Sequence, residues 1–322
     1  PGILYLSRDA GDTWGKIADI DSFSHTSVPL DHNRILLLPY EVWPLSSGDR
    51  RNAIADGTII TCKDGSIQTE RTPVQFLGFE RDLDEYNGDE LFLLTCGEIL
   101  PLRGGGILTT IYGRFGLNSE RHHYECIAVV SHDGGFTWEY RSIVANWRNA
   151  PGGSEGPNES SCTRLSSGRL MCIYRIGSGR DYSYHVGYSD DEGLSWSEPK
   201  AIQPWSVFPK VLATSNGPIL LTGGRPGLML WICDDDVGNT WRPINLAEHH
   251  NNTFDDPSLH FEEECVLASG KESLQNTTSY TGLTALGDNE VLVSYDRLGN
   301  GWEGAPGPLG KHDSVFTVRV TL

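Results

Sequence analysis

Ser131-His-Asp-Gly-Gly-Phe-Thr-Trp138 reads as Ser-x-Asp-x-Gly-x-Thr-Trp, and the frame recurs along the chain. Ser7-Arg-Asp-Ala-Gly-Asp-Thr-Trp14 keeps every fixed position, and Ser189-Asp-Asp-Glu-Gly-Leu-Ser-Trp196 changes only Thr to Ser. Cys233-Asp-Asp-Asp-Val-Gly-Asn-Thr-Trp241 is a fourth copy with one residue inserted, so its aspartates read as a turn rather than a calcium loop. Cys62-Lys-Asp-Gly-Ser-Ile-Gln-Thr69 is a worn fifth without the Trp. In such a frame the Asp bonds nearby backbone amides, the Gly accepts positive φ, and the Trp plugs the fold beneath. The full copies follow apolar, alternating runs at 3–6, 126–130, 184–188 and 228–232. Each box is therefore the turn of a β-hairpin. A chance Asx-turn would explain one copy but not three good ones set among periodic strands. A repeated hairpin predicts a repeat architecture.

Working outward, strand pairs recur in order: 23–28 with 34–41, 98–102 with 106–114, 159–165 with 169–175, 208–213 with 218–225, and 279–286 with 290–296. Turn signals such as Asp31-His-Asn33, Ser166-Ser-Gly168 and Gly287-Asp-Asn289 separate the members. No window reads as a helix. Four pairs are followed by a third strand running into a box or its remnant, and then by a fourth. Four-stranded antiparallel blades close radially, so the expected fold is all-β, a six-bladed β-propeller with Asp-box turns. The opening hairpin, 3–20, has outer-strand character only. Its inner partners come either from upstream sequence or from the closing strand 314–322, and the sequence does not choose.

The 322 residues carry 25 Lys and Arg against 43 Asp and Glu, a formal charge of −18. That balance argues against nucleic acid or an anionic membrane face as partner, and it makes a local Arg cluster informative. Thirty-seven Gly and 17 Pro are spread along the chain without a composition break, so one domain over residues 1–322 is expected. The longest apolar run, 35–38, is too short to span a bilayer. Pro1-Gly2 opens directly into a strand pattern with neither initiator Met nor signal peptide, which predicts residues upstream and leaves the compartment unspecified. The seven Cys lack metal-ligand spacing and sit mostly in strand-like runs, which reads as buried free thiols. Two Asn-x-Thr acceptors, at Asn251 and Asn276, carry little weight without a known compartment.

In a propeller the inner strands of each blade line one mouth. Glu159 heads an innermost strand and Arg175 ends the next strand of that blade. Arg225 occupies the equivalent strand end one blade on, and Tyr280 and Asp296 hold corresponding places in the last blade. These five are expected to converge, with the Tyr280 hydroxyl within hydrogen-bond reach of Glu159. Guanidinium forks suit a carboxylate ligand, and a phenol beside a carboxylate base can serve as nucleophile. An ordinary salt bridge at a strand end explains any one of them better than it explains the set. The pairs His122-His123 and His249-His250, read as strand neighbours facing opposite ways, do not form a metal site. Trp43, Trp147 and Trp302 are either sugar platforms or packing between blades.

These residues carry a resemblance. Over nearly its whole length the chain resembles the sialidase (neuraminidase) superfamily of Asp-box propellers. Asn158-Glu159, Leu165-Ser-Ser-Gly-Arg-Leu170 and Arg175 are similar to the family's segment with the catalytic Glu and second arginine. The likeness implies Glu159 as base, Arg175 and Arg225 as two of three carboxylate-clamping arginines, Ser279-Tyr280 as the nucleophile segment, and Asp296 as the acid orienting the first arginine. It implies hydrolysis of a terminal acidic sugar on a glycan, most simply sialic acid, with no cofactor and no metal. The family's Phe-Arg-Ile-Pro segment is absent. Its nearest analogue, Phe23-Ser-His-Thr-Ser-Val-Pro29, puts His25 near the place of the first arginine. Either that arginine and the acid lie upstream, or the acid follows Glu41. In the second case Asp49, in Ser46-Ser-Gly-Asp-Arg50, fits the family spacing better than Asp56. Two rivals share the fold: another exo-glycosidase or a uronate-polysaccharide lyase, and a non-catalytic carbohydrate- or protein-binding propeller.

Overall fold

A computed structural model describes the chain except at residues 1, 22, 64–65, 85–92, 117–122, 179, 216, 236, 269–277 and 299–312. The chain forms two compact units, Pro1–Cys162 with Gly187–Glu198, and Thr163–Val186 with Pro199–Leu322. Strands dominate both.

The first unit opens with a hairpin of β1 (Gly2–Leu6) and β2 (Gly15–Ile20), whose tight link is the first box. Next come β3 (Thr26–Pro29), β4 (Arg34–Leu38), β5 (Glu41–Pro44), β6 (Ala53–Lys63) and β7 (Ser66–Leu77). The expected blade is present as β3, β4, β6 and β7, each antiparallel to the next. After β8 (Leu83–Asp84) and β9 (Leu93–Thr95), a second blade runs β10 (Leu100–Pro101), β11 (Ile107–Phe115), β12 (Glu125–Ser131) and β13 (Thr137–Ala145).

The two blades are not separate sheets, and here the expectation of independent four-stranded blades is corrected. The length of β6 lets it pair with β4 near its far end and with β5 at Ile54 and Ala53. β5 in turn pairs with β9, and β9 with β11. On the other side β13 runs parallel to β7, with Trp138 opposite Phe76. The ring β6-β5-β9-β11-β12-β13-β7 thus closes on itself. Alternating side chains fill its core with Leu36, Val74, Phe76, Ile111, Val129 and Trp138, all fully buried.

The chain continues through β14 (Asn158–Arg164), β15 (Leu170–Arg175), β16 (Ser183–Ser189) and β17 (Lys200–Trp205), one four-stranded sheet in that order. The division into units falls within β14 and β16. In the second unit β18 (Val207–Ala213), β19 (Ile219–Gly224), β20 (Leu228–Cys233) and β21 (Arg242–Asn245) form an antiparallel meander whose last turn is the fourth box.

A helix follows where none was expected: α1 (Leu246–Thr253), then a 3-10 turn (Pro257–Leu259) and α2 (Glu263–Val266). The Asn245 side chain caps α1 by accepting from the Glu248 amide at 3.0 Å. Because His249 and His250 lie on this helix, the strand argument does not apply to them. His250 is buried, with its ring nitrogens 3.0 Å from the Tyr295 hydroxyl and the Leu259 carbonyl.

The last sheet joins β22 (Thr281–Ala285), β23 (Glu290–Arg297) and β24 (Ser314–Thr321). β24 pairs with β23 along its whole length, so the closing strand is the third strand of its own sheet rather than an inner partner for β1. All seven cysteines are free, and all but the half-buried Cys62 are buried. Among the described residues no helix is long and apolar enough to cross a membrane.

Candidate active site

In the second unit, Tyr280 sits just ahead of β22, and its ring packs on Phe208 with centroids 4.5 Å apart. The Arg225 guanidinium lies over the same ring at 5.7 Å. Arg225 follows β19 directly and is 7 % exposed, in the left-handed region at φ 55°. Strain of that kind at a buried arginine is held only by surrounding structure. Here the backbone supplies it: the Arg225 amide donates to Gly227 O at 2.8 Å, and its carbonyl accepts from Val207 at 3.1 Å.

Asp296, on β23, accepts from the Thr278 hydroxyl at 3.0 Å and from the Ser279 amide at 2.5 Å. The carboxylate therefore fastens the segment that carries Tyr280. Burial pushes the Asp296 carboxyl upward, against those hydrogen bonds and the opposing charge of Arg225. Three of the five expected residues, Tyr280, Arg225 and Asp296, are thus brought together. Arg175, at the end of β15, is half-buried and donates to the Ser178 hydroxyl at 3.1 Å.

Glu159 belongs to the first unit. It is 3 % exposed and, for a non-glycine residue, unusually placed at φ 34°. Around it the buried Ser160 hydroxyl donates to Thr110 at 2.9 Å and lies 3.6 Å from the Cys96 thiol. Glu159 acts electrostatically on Tyr112, a buried phenol whose hydroxyl is 2.6 Å from that of Tyr40. Burial pushes the Tyr112 phenol well above its usual range, and the nearby Tyr40 and Glu159 push it further. His25 completes this cluster, edge-on to the Tyr40 ring at 5.1 Å.

Asp49 does something else. Its carboxylate accepts from the amides of Arg51 and Asn52 at 2.9 and 3.0 Å and from the Asn52 side chain. The Arg51 amide bond first, then the Asn52 side chain, hold its carboxyl below the usual range. These bonds make Asp49 the anchor of its turn, whereas a general acid works with its pKa shifted the other way.

Two residues of this cluster escaped the sequence reading. Arg114 is 8 % exposed, with its guanidinium 5.0 Å over the Tyr124 ring. Its signal was available, since it ends its strand as Arg175 and Arg225 end theirs. Tyr112 carried no such signal, because its partner Tyr40 lies far away in sequence.

Of the remaining candidates, Trp147 stacks against His123 at 5.8 Å with the Arg148 guanidinium over it. His122 and Trp302 lie outside the described residues. Among the described residues no three or more His, Cys, Asp or Glu side chains are placed to hold a metal ion.

Residues 78–291 match the family model of the BNR repeat-like domain, about two-thirds of the chain. This protein belongs to the BNR repeat-like family. The expected resemblance to Asp-box sialidases stands with it. A sialidase of Micromonospora viridifaciens is 28 % identical over 128 residues, 37 % of this chain but only 20 % of that protein. Among solved structures, a protein of unknown function from Dyadobacter fermentans matches 99 % of this chain and 84 % of its own, with a TM-score of 0.66 at 17 % identity. An α-L-arabinanase of Penicillium chrysogenum, solved with arabinobiose, matches 98 % and 84 % with a TM-score of 0.55 at 16 % identity. At those identities the structures speak to the fold, which this BNR-type chain shares with them.

Proposed function

We propose that this chain is an exo-glycoside hydrolase that releases a terminal acidic sugar, sialic acid foremost, with Tyr280 as nucleophile. One observation carries the reading: a buried, conformationally strained arginine, Arg225, is held over a tyrosine whose segment is fastened by Asp296. A planar guanidinium is the group that grips a sugar carboxylate in a fork. A sugar with a carboxylate on its anomeric carbon repels an anionic nucleophile, and a neutral phenol avoids that repulsion.

In this mechanism the Tyr280 oxygen attacks the anomeric carbon as the glycosidic C–O bond breaks, and the departing oxygen takes up a proton from water and leaves as the free alcohol. The phenolic proton passes to a carboxylate base, the role the resemblance gives Glu159. Water then attacks the anomeric carbon, and the tyrosyl–sugar bond breaks as the proton returns to the Tyr280 oxygen. Arg175 is the second arginine proposed for the carboxylate, and His25 the substitute for the missing first one. The same reading takes the repeats as six blades. The M. viridifaciens relative supports the sialoside, and the arabinanase likeness supports a second reading in which the sugar is a neutral pentose.

A panel of umbelliferyl glycosides decides between them. Turnover of the α-sialoside, with binding weakened by Arg225→Lys, supports the first reading. Turnover of the arabinofuranoside alone, untouched by that change, supports the second. A new conjugated double bond in the product of a uronate polymer means elimination, and no turnover of any substrate leaves a binding protein.

A further inference from the structure

Sheet alternation in the first unit builds a cleft beside the Tyr40–His25 part of the candidate site, and the hydrolytic reading uses neither its exposed Trp43 nor its carboxylates. On β5, Val42 points into the core while Glu41 and Trp43 share the outer face. Trp43 pairs across to Ile54 on β6, and Asp56 lies two residues further along the same face. Together with Phe23 and Tyr40 they line a cleft of about 450 Å³.

Two large aromatic side chains are left in solvent there, Trp43 at 43 % and Phe23 at 61 % exposure. Phe23 is nevertheless held in place, edge-on to Tyr40 at 5.5 Å and to His25 at 4.8 Å. The cation on the rim, Arg71, is already committed. It donates to the Asp56 carbonyl at 3.3 Å and pairs with the Asp21 carboxylate at 3.3 Å. Glu41 and Asp56 have no hydrogen-bond or ion-pair partner for their carboxylates among the described residues.

We propose that this cleft binds a neutral sugar ring, stacked on the exposed face of Trp43 and hydrogen-bonded through its hydroxyls to Glu41 and Asp56. The chemistry fits in three ways. An exposed indole offers an apolar face to the C–H face of a pyranose or furanose. Ionised carboxylates only accept, and sugar hydroxyls supply the donors. Their charge, unopposed once Arg71 is spent on Asp21, turns away uronates and sialic acid. The size lies within the range of small-molecule sites. The site would hold the neutral part of a glycan whether or not the chain cleaves it.

The test is ligand-detected saturation-transfer NMR on the full chain, with arabinotriose, xylotriose and lactose as neutral probes and trigalacturonate as the anionic one. Transfer to at least one neutral probe is expected, with tryptophan fluorescence shifting on titration. Trp43→Ala should weaken that binding at least tenfold with the far-UV circular dichroism unchanged, and Trp43→Tyr should restore part of it. Trigalacturonate should bind only after Glu41→Gln and Asp56→Asn are combined. Repeating the titration in Tyr280→Phe separates this site from the proposed chemistry, because binding should be the same there. No neutral probe bound, equal binding by trigalacturonate, or undiminished binding in Trp43→Ala would each overturn the proposal.

Discussion

Two copies of one sequence frame, both in the first unit, end in opposite surroundings. In the box at 131–138, Ser131 donates to Asp133 at 2.8 Å, and the Gly135 amide to Ser131 at 2.8 Å. The Thr137 amide donates to Asp133 at 2.9 Å and the indole of Trp138 to the Gly135 carbonyl at 2.9 Å. The box at 7–14 repeats these bonds at 2.8, 2.7, 2.9 and 3.1 Å. Gly135 and Gly11 even share their left-handed backbone, at φ 95° and 94°. Yet Trp138 is fully buried, stacked 6.5 Å from Phe76, and Trp14 is 46 % exposed.

The turn is thus written locally, and the plug is not. Trp138 is buried because β13 lies alongside β7, a pairing between segments some sixty residues apart. The β1–β2 hairpin forms a two-stranded sheet of its own, and nothing in its eight-residue frame could supply a third strand. The other two boxes fill out the range. Trp241 is buried, whereas Trp196 is half-buried and donates to Ser142 instead of to its own Gly.

The comparison can be broken most easily at the indoles. Trp138→Ala should destabilise the fold by about 3–5 kcal/mol, the usual cost of emptying a buried aromatic site. Trp14→Ala should cost below about 1 kcal/mol. Urea unfolding of the two variants measures both, and equal losses would show that the box itself, rather than its surroundings, sets the energy.

The glycines come next. Their left-handed backbone means that Ala at either Gly135 or Gly11 should cost about 1–2 kcal/mol. At Gly135 the new methyl would also lie 3.0 Å from Val28 Cγ2, adding crowding. Tolerance of Ala at both, by the same unfolding assay, would contradict the shared turn geometry.

The smallest effect is on protonation. The Thr13 hydroxyl and amide and the Ser7 hydroxyl hold the Asp9 carboxyl down to about 2. Asp133 is also lowered: burial opposes the shift, but bonds from Thr137 and Ser131 outweigh it. Both carboxylates bind their protons more weakly folded than unfolded. Their contribution to stability is therefore complete above about pH 4, the ordinary unfolded value, and fades as pH falls toward the folded one. Carboxyl NMR titration should place the Asp9 midpoint near 2 and that of Asp133 below the usual range. Ordinary midpoints at both would remove the hydrogen-bonded turn from the account.

The same division governs what could be read from the sequence. Hairpins, box turns and inner strand pairs follow from period-two patterns and turn residues within a dozen positions. The described residues form the five expected inner pairs and the box turns at 7–14, 131–138 and 189–196. The linking of two blades through β5, β9 and the β7–β13 contact depends on long-range pairing that no local pattern encodes. The α1 helix was legible but missed: Asn245 with Glu248 three residues on is a capping signal. Of the candidate site, the strand-end rule located Arg225 and Asp296 and would have located Arg114. For Asp49, spacing alone does not show that two amides and an Asn side chain already bond its oxygens.

The central claim is that Tyr280, under Arg225, does chemistry. Its most direct test is the turnover of an umbelliferyl α-sialoside by wild type and Tyr280→Phe, beside the binding of a carboxylate-bearing transition-state analogue to each. Only a hydroxyl is removed, and the packing on Phe208 and the guanidinium above the ring remain possible. The account predicts that turnover falls by about a thousandfold or more while the analogue binds within a few-fold of wild type. Near-normal turnover in Tyr280→Phe would contradict it.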